Sequence, residues 1–159
     1  MALKSNASLA EVLKSASVFL EERGFDGSLA QSYWLRVFDW TLTDLVRQLQ
    51  QTPNQEVYET FQEVLERLVR HEPLQYILGY EDFDGRRFKV TPAVLIPRED
   101  TAGILDLAAS WLEKHPEASQ ALDLGTGSGI LAISLALRYP QLQLTAGDLS
   151  PEALAIAKE

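Results

Sequence analysis

The sequence predicts an α/β chain in three parts: an N-terminal helical bundle, a β-hairpin linker, and the first βαβα portion of a doubly wound parallel sheet. Three observations carry this reading. Apolar residues recur at helical spacing through the first 79 positions. Two short runs flank Asp84-Gly85, a common hairpin turn pair. From about residue 119 the pattern becomes strand, glycine loop, helix, strand, helix. The parts are drawn at residues 1–72, 73–98 and 99–159.

Each element has its own signal. Leu9, Val12, Leu13, Ala16, Phe19 and Leu20 form one stripe, opened by a Ser8–Glu11 capping-box pattern and stopped by Gly24. Leu29, Tyr33, Trp34, Val37 and Phe38 mark a second helix. Thr41 and Asp44 start a third, followed by Leu42, Leu45, Val46 and Leu49. A fourth follows Pro53-Asn54, with Val57, Tyr58, Phe61, Leu65, Leu68 and Val69 on one face. Short connections favour an antiparallel bundle. Its stripes are accounted for as core with no apolar stripe left over, and Tyr33, Trp34, Phe38 and Trp40 are read as mostly core rather than interface. "YEDFDGRRFKV" reads as the hairpin, "AVLIP" as an extended piece, and Thr101 to Glu113 as a helix. "QALDL" reads as a short buried strand, "ILAISLALRY" as a helix and "LQLTAGD" as a second strand. Ser150-Pro151 places a capping serine before a proline at the first helical position of "EALAIAKE".

Composition narrows the function classes. The 159 residues are 46% hydrophobic, enough for a packed core. The formal net charge is −9, with 7 basic and 11 acidic side chains in residues 1–79 and 7 and 12 in residues 80–159. An evenly acidic chain argues against direct nucleic-acid binding and against anionic membrane surfaces. There is no cysteine, which excludes disulfides and thiolate metal sites and fits a reducing compartment. His71 and His115 lie in separate polar segments, and no metal site is expected. No apolar run approaches the ~20 residues of a membrane span. A soluble, cytoplasmic, monomeric protein is expected. Two parallel strands cannot bury both faces of an open sheet, so the chain is expected to be part of a longer protein or to be completed by a partner.

The loop "DLGTGSG" carries the chemistry. Glycines at 125, 127 and 129 permit positive φ and let a ligand approach the main chain. The loop opens a helix at the carboxyl end of a strand, the edge where open α/β sheets bind ligands. A dinucleotide fingerprint needs G-x-G-x-x-G, but position 130 is isoleucine. The spacing D-x-G-x-G-x-G resembles motif I of class I S-adenosylmethionine-dependent, Rossmann-like methyltransferases. That family places an acid at the end of the second strand, on the ribose hydroxyls. Asp148 stands there, and a carboxylate accepts from two vicinal hydroxyls at once. The resemblance therefore implies S-adenosylmethionine as cofactor, bound by Asp123, Gly125, Thr126, Gly127, Ser128, Gly129 and Asp148. Thr126 and Ser128 are either hydroxyl donors to the ligand or merely small loop residues.

Upstream residues narrow the resemblance. "EPLQYILGYEDFDGRRFKVTPAVLIPREDT", residues 72 to 101, is similar to the linker of the release-factor glutamine methyltransferase family (HemK/PrmC). The matching pieces are Pro73-Leu74-Gln75-Tyr76-Ile77-Leu78-Gly79, Phe83-Asp84-Gly85, and Leu95-Ile96-Pro97-Arg98. The family pattern has proline where Glu99 stands and glutamate where Ala102 stands. The resemblance implies methyl transfer to the side-chain amide of the GGQ glutamine of peptide-chain release factors. It also implies an N-P-P-Y motif that accepts the amide hydrogens. No N-P-P occurs here, since the only asparagines are Asn6 and Asn54, so no catalytic residue is expected in this chain and it should be inactive by itself. Arg98 and Thr101 are candidates for the methionine side of the pocket, the alternative for Arg98 being a surface pair with Glu99 or Asp100. Two alternatives stand beside this reading: a helical substrate-docking module without catalysis, and an amino methyltransferase acting on nucleic acid.

Overall fold

The computed structural model describes residues 7–159. The chain divides into two compact units, with the boundary between residues 78 and 79. The first is helical: α1 (Leu9–Glu21), α2 (Ser28–Val37), α3 (Leu42–Gln48), α4 (Gln55–Leu68) and the short α5 (Leu74–Leu78). The expected Ser8–Glu11 capping box forms, and the helix start expected at Thr41 and Asp44 is a second one. Ser8 Oγ accepts from Glu11 N while Glu11 Oε2 accepts from Ser8 N, and Thr41 and Asp44 reciprocate in the same way. The first N–H groups of α1 find backbone partners too: Leu9 N donates to Gln51 O (2.8 Å) and Ala10 N to Leu49 O (2.9 Å). Gly24, at φ +81°, ends the first helix as expected.

Leu9, Val12, Ala16 and Leu20 of α1 pack with Ala30, Tyr33 and Trp34 of α2 and with Phe61, Val64, Leu65 and Leu68 of α4. The aromatic group is mostly core, as expected: Tyr33 is buried and Trp40 packs against the same cluster. Trp34 is buried, but Val37, Phe38, Leu42 and Val46 are exposed around the α2–α3 corner, so apolar surface is left over. The seven-residue α3 is too short to turn a full stripe inward, and among its residues only Leu45 is buried. Helix α5 is an addition to the expected elements. It directly follows Pro73, whose carbonyl accepts from Tyr76 N and Ile77 N.

The second unit holds the hairpin β1 (Tyr80–Phe83) and β2 (Arg86–Lys89), then α6 (Glu99–Lys114), β3 (Gln120–Leu124), α7 (Ile130–Arg138), β4 (Gln143–Gly147) and α8 (Pro151–Ala157). Asp84 and Gly85 turn the hairpin at φ +51° and +69°, both positive as a two-residue type I′ loop requires. Strands β3 and β4 run parallel with Asp123 opposite Ala146 and Leu124 opposite Gly147. The Ala93–Pro97 piece starts in a turn, Val94 N donating to Thr91 O at 3.0 Å, rather than extended. The expectation of a buried β3 is also corrected. Leu122 and Leu124 are 61% and 76% exposed and alternate with the half-buried Ala121 and Asp123, so they share a face of the two-stranded sheet that is left uncovered among the described residues. No described helix is long and apolar enough to cross a membrane.

Candidate cofactor site

The loop Gly125–Gly129 leaves β3 and enters α7, and its shape is held by its own hydrogen bonds. Gly125 N (2.7 Å) and Thr126 N (3.0 Å) both donate to Gly147 O, the last carbonyl of β4. Gly127 N donates to Asp148 Oδ2 at 2.9 Å. Gly129 N donates to Thr126 O at 2.8 Å, and Gly129 O accepts from Ile133 N in the first turn of α7. All three glycines have positive φ: +76°, +55° and +80°. They differ in what surrounds them. A Cβ at Gly125 or Gly127 would meet nothing within 4 Å, whereas one at Gly129 would meet Ile133 Cδ1 at 3.0 Å and Ala157 Cβ at 3.2 Å. The first two leave open space over the loop. The third lets α7 and α8 approach closely.

The two carboxylates anchor this loop. Asp123 Oδ2 accepts from Thr126 Oγ1 at 2.7 Å. Asp148 uses both oxygens, taking Ser150 N on Oδ1 (2.9 Å) and Gly127 N on Oδ2 (2.9 Å). The N–H groups of Ser150 and Gly127 hold the Asp148 carboxyl below its ordinary range. Both acids are half-buried, and each carboxylate has more lone pairs than these hydrogen bonds use. Thr126 and Ser128 are 6% and 5% exposed, and the Thr126 hydroxyl proton is committed to Asp123. Thus the loop, Asp123 and Asp148 are brought together by hydrogen bonds. Arg98 and Thr101 are not joined to them by any side-chain hydrogen bond among the described residues; Arg98 is the exposed N-cap of α6. The side chain of Glu99, a possible partner of Arg98, lies outside the described residues.

This arrangement decides between ligand charges. An anion nest presents free N–H groups. Here four of the five loop N–H groups have internal partners, and two carboxylates flank them. The site suits a ligand that donates hydroxyl protons or carries positive charge, and not a pyrophosphate. No described cluster of His, Cys, Asp and Glu could hold a metal ion. Sequence reasoning missed the carbonyl of Gly147, which accepts from both Gly125 and Thr126, and Ser150 N, which shares Asp148. The Ser150-Pro151 cap was the available signal for the latter.

Comparison with known proteins gives the family. Residues 11–79 match the PrmC N-terminal domain and residues 101–159 match the methyltransferase small domain. The release factor glutamine methyltransferase of Staphylococcus aureus is 35% identical over 148 residues, 93% of this chain and 52% of that protein. The Bacillus cereus protein of the same name is 35% identical over 151 residues, 94% of this chain and 53% of that protein. This chain belongs to the release factor glutamine methyltransferase family. A third relative, from Bacteroides thetaiotaomicron, is 49% identical over 96 residues, which is 60% of this chain and 34% of its own length. The chain spans about half the length of the curated relatives it matches along most of its sequence. Within the family, its second unit is the opening βαβα of a class I, Rossmann-like methyltransferase fold.

Proposed function

We propose that this chain supplies one wall of an S-adenosylmethionine site in an enzyme that methylates the GGQ glutamine amide of peptide-chain release factors. The observation that carries the cofactor reading is the commitment of the loop N–H groups to internal acceptors beside two carboxylates. Those residues fit the group. Asp148 would accept from the ribose hydroxyls with the lone pairs left over by Gly127 N and Ser150 N. Asp123 would face the positively charged end of the ligand. The bare faces of Gly125 and Gly127 would admit it close to the main chain. S-adenosylmethionine, when bound, supplies an electrophilic methyl group on a sulfonium.

The rest of the chain's work is binding and orientation, and none of its residues is assigned to the methyl-transfer step. The substrate reading rests on the names of the relatives and on the linker motifs from Pro73 to Thr101. The division at 1–72, 73–98 and 99–159 into helical domain, linker and incomplete methyltransferase domain belongs to the same proposal, as do a cytoplasmic setting and a role in translation termination. The even acidic charge of −9 favours a protein substrate over nucleic acid.

The test is a chimera in which this chain replaces the corresponding half of the Staphylococcus aureus relative. With labelled S-adenosylmethionine, it should place one methyl group on the GGQ glutamine of a release factor. Asp148→Ala and Gly127→Arg should remove that label. A folded chimera that binds no S-adenosylmethionine overturns the cofactor reading. Label appearing on nucleic acid instead of release factor overturns the substrate reading.

A further inference from the structure

We propose that the β1–β2 hairpin is a brace for the helix that carries the cofactor loop, with Asp84 and Arg138 as positioning residues. The inference rests on the reading of Gly125–Gly129 as a cofactor wall. Helix α7 begins at Ile130, directly after Gly129, so its axis sets where the loop stands. The hairpin holds that helix at both ends. At the start, Ile130 is buried in one cluster with Phe83 and Phe88 of the hairpin and Leu105 of α6. Phe83 and Phe88 meet edge to face, with ring centroids 6.3 Å apart. At the end, Arg138 Nη2 donates to Asp84 Oδ1 at the hairpin turn.

The groups facing this clasp are few. Arg86 Nη1 donates to Asp84 Oδ2 at 2.8 Å and to the Asp84 carbonyl at 2.9 Å. Asp106 of α6 accepts from Arg138 Nη1 at 3.5 Å. Tyr139 Oη donates to Ala109 O at 3.2 Å, a second tie from this end of α7 to α6. One attachment would leave α7 free to pivot. Two attachments, about two helical turns apart, fix its direction.

The clasp also explains why the turn is Asp-Gly. Asn-Gly makes the same turn with both φ values positive. Only the aspartate brings a charge, and that charge meets Arg138. Within Phe83-Asp84-Gly85, Phe83 then seats the start of α7, Asp84 holds its end, and Gly85 closes the turn.

The experiment uses this chain with Asp84→Asn, which keeps the turn, and with Arg138→Gln and Arg138→Lys. Amide hydrogen exchange is measured across the second unit, and S-adenosylhomocysteine binding is measured by equilibrium dialysis. In Asp84→Asn and Arg138→Gln, exchange at 125–129 should rise about threefold to fivefold, the scale of a partly exposed ion pair. Exchange at the β3–β4 ladder amides should stay at its original rate. Arg138→Lys should restore most of the loop protection. Unchanged loop exchange overturns the brace. So does an equal rise in loop and ladder, which marks plain loss of stability rather than positioning. If the unaltered chain binds no S-adenosylhomocysteine, that bears on the cofactor reading alone. The exchange pattern still decides the brace.

Discussion

Gly129→Ala separates the two kinds of glycine in the loop. An alanine at φ +80° would sit in the left-handed region, at a cost of ~1–2 kcal/mol. Its Cβ would also meet Ile133 Cδ1 at 3.0 Å, Ala157 Cβ at 3.2 Å and Ala157 Cα at 3.5 Å. The isoleucine methyl can swing away. Ala157 is part of α8, so relief there requires a helix to shift by a few tenths of an ångström, and overpacking of this kind costs ~1–3 kcal/mol. The total is then about 2–5 kcal/mol. Gly127→Ala, at φ +55° with nothing within 4 Å, carries the conformational strain alone, ~1–2 kcal/mol. The assay is urea denaturation of the chain, followed at backbone amides of β3 so that only the second unit is read. A double-mutant cycle sharpens it. In an Ala157→Gly background the added cost of Gly129→Ala should fall by about 1 kcal/mol or more, because the fixed obstacle is gone. Equal destabilisation by Gly129→Ala and Gly127→Ala, together with no coupling to Ala157, would refute the close-approach reading of Gly129.

Other perturbations follow from the same geometry. Ser8→Ala removes the acceptor for Glu11 N and should lower the stability of the helical unit by about 1 kcal/mol, read as a shifted urea midpoint at amides of α1. Ser134 is fully buried in α7 and its hydroxyl has no partner, so Ser134→Ala should stabilise the second unit by ~1 kcal/mol; a loss of stability would show an unrecognised hydrogen bond. Asp84 and Asp148 both hold their carboxyls below the ordinary value of 3.8, Asp84 chiefly through Arg138 and Asp148 chiefly through Ser150 N. Each binds its proton more weakly folded than unfolded, so this stability is present above the ordinary value and is lost as pH falls through the lowered one. Midpoints compared between about pH 7 and about pH 3 should therefore drop less in Asp84→Asn than in the unaltered chain.

Much of this architecture is legible in the sequence alone. The Ser8–Glu11 and Thr41–Asp44 boxes announce helix starts because the side chains at those spacings satisfy orphan N–H groups locally. Asp84-Gly85 announces a turn because few other pairs tolerate two positive φ values. The less legible features are those with no local signal. Helix α5 is five residues long, too short for a helical period to be read. The exposure of Leu122 depends on what packs over its face of the sheet, and the apolar Ala121 and Leu124 nearby say only that it could be buried. The site divides in the same way. Gly125, Gly127, Gly129 and the two acids stand out by type and spacing. The carbonyl of Gly147 does not, since every residue has one. Arg138 and Asp84 are 54 positions apart, and only the fold makes them neighbours.

The leucine-bearing strand β3 has a further consequence for handling the molecule. With only β4 beside it among the described residues, it presents a row of unpaired peptide groups next to Leu122 and Leu124. Such an edge is a template for any passing strand, including one from a neighbouring molecule. Solutions of this chain should be limited by concentration rather than by melting, with turbidity growing in proportion to how often two such edges meet. A lysine placed at Leu122 would act there as a gatekeeper, keeping the protein in solution without touching the glycine loop.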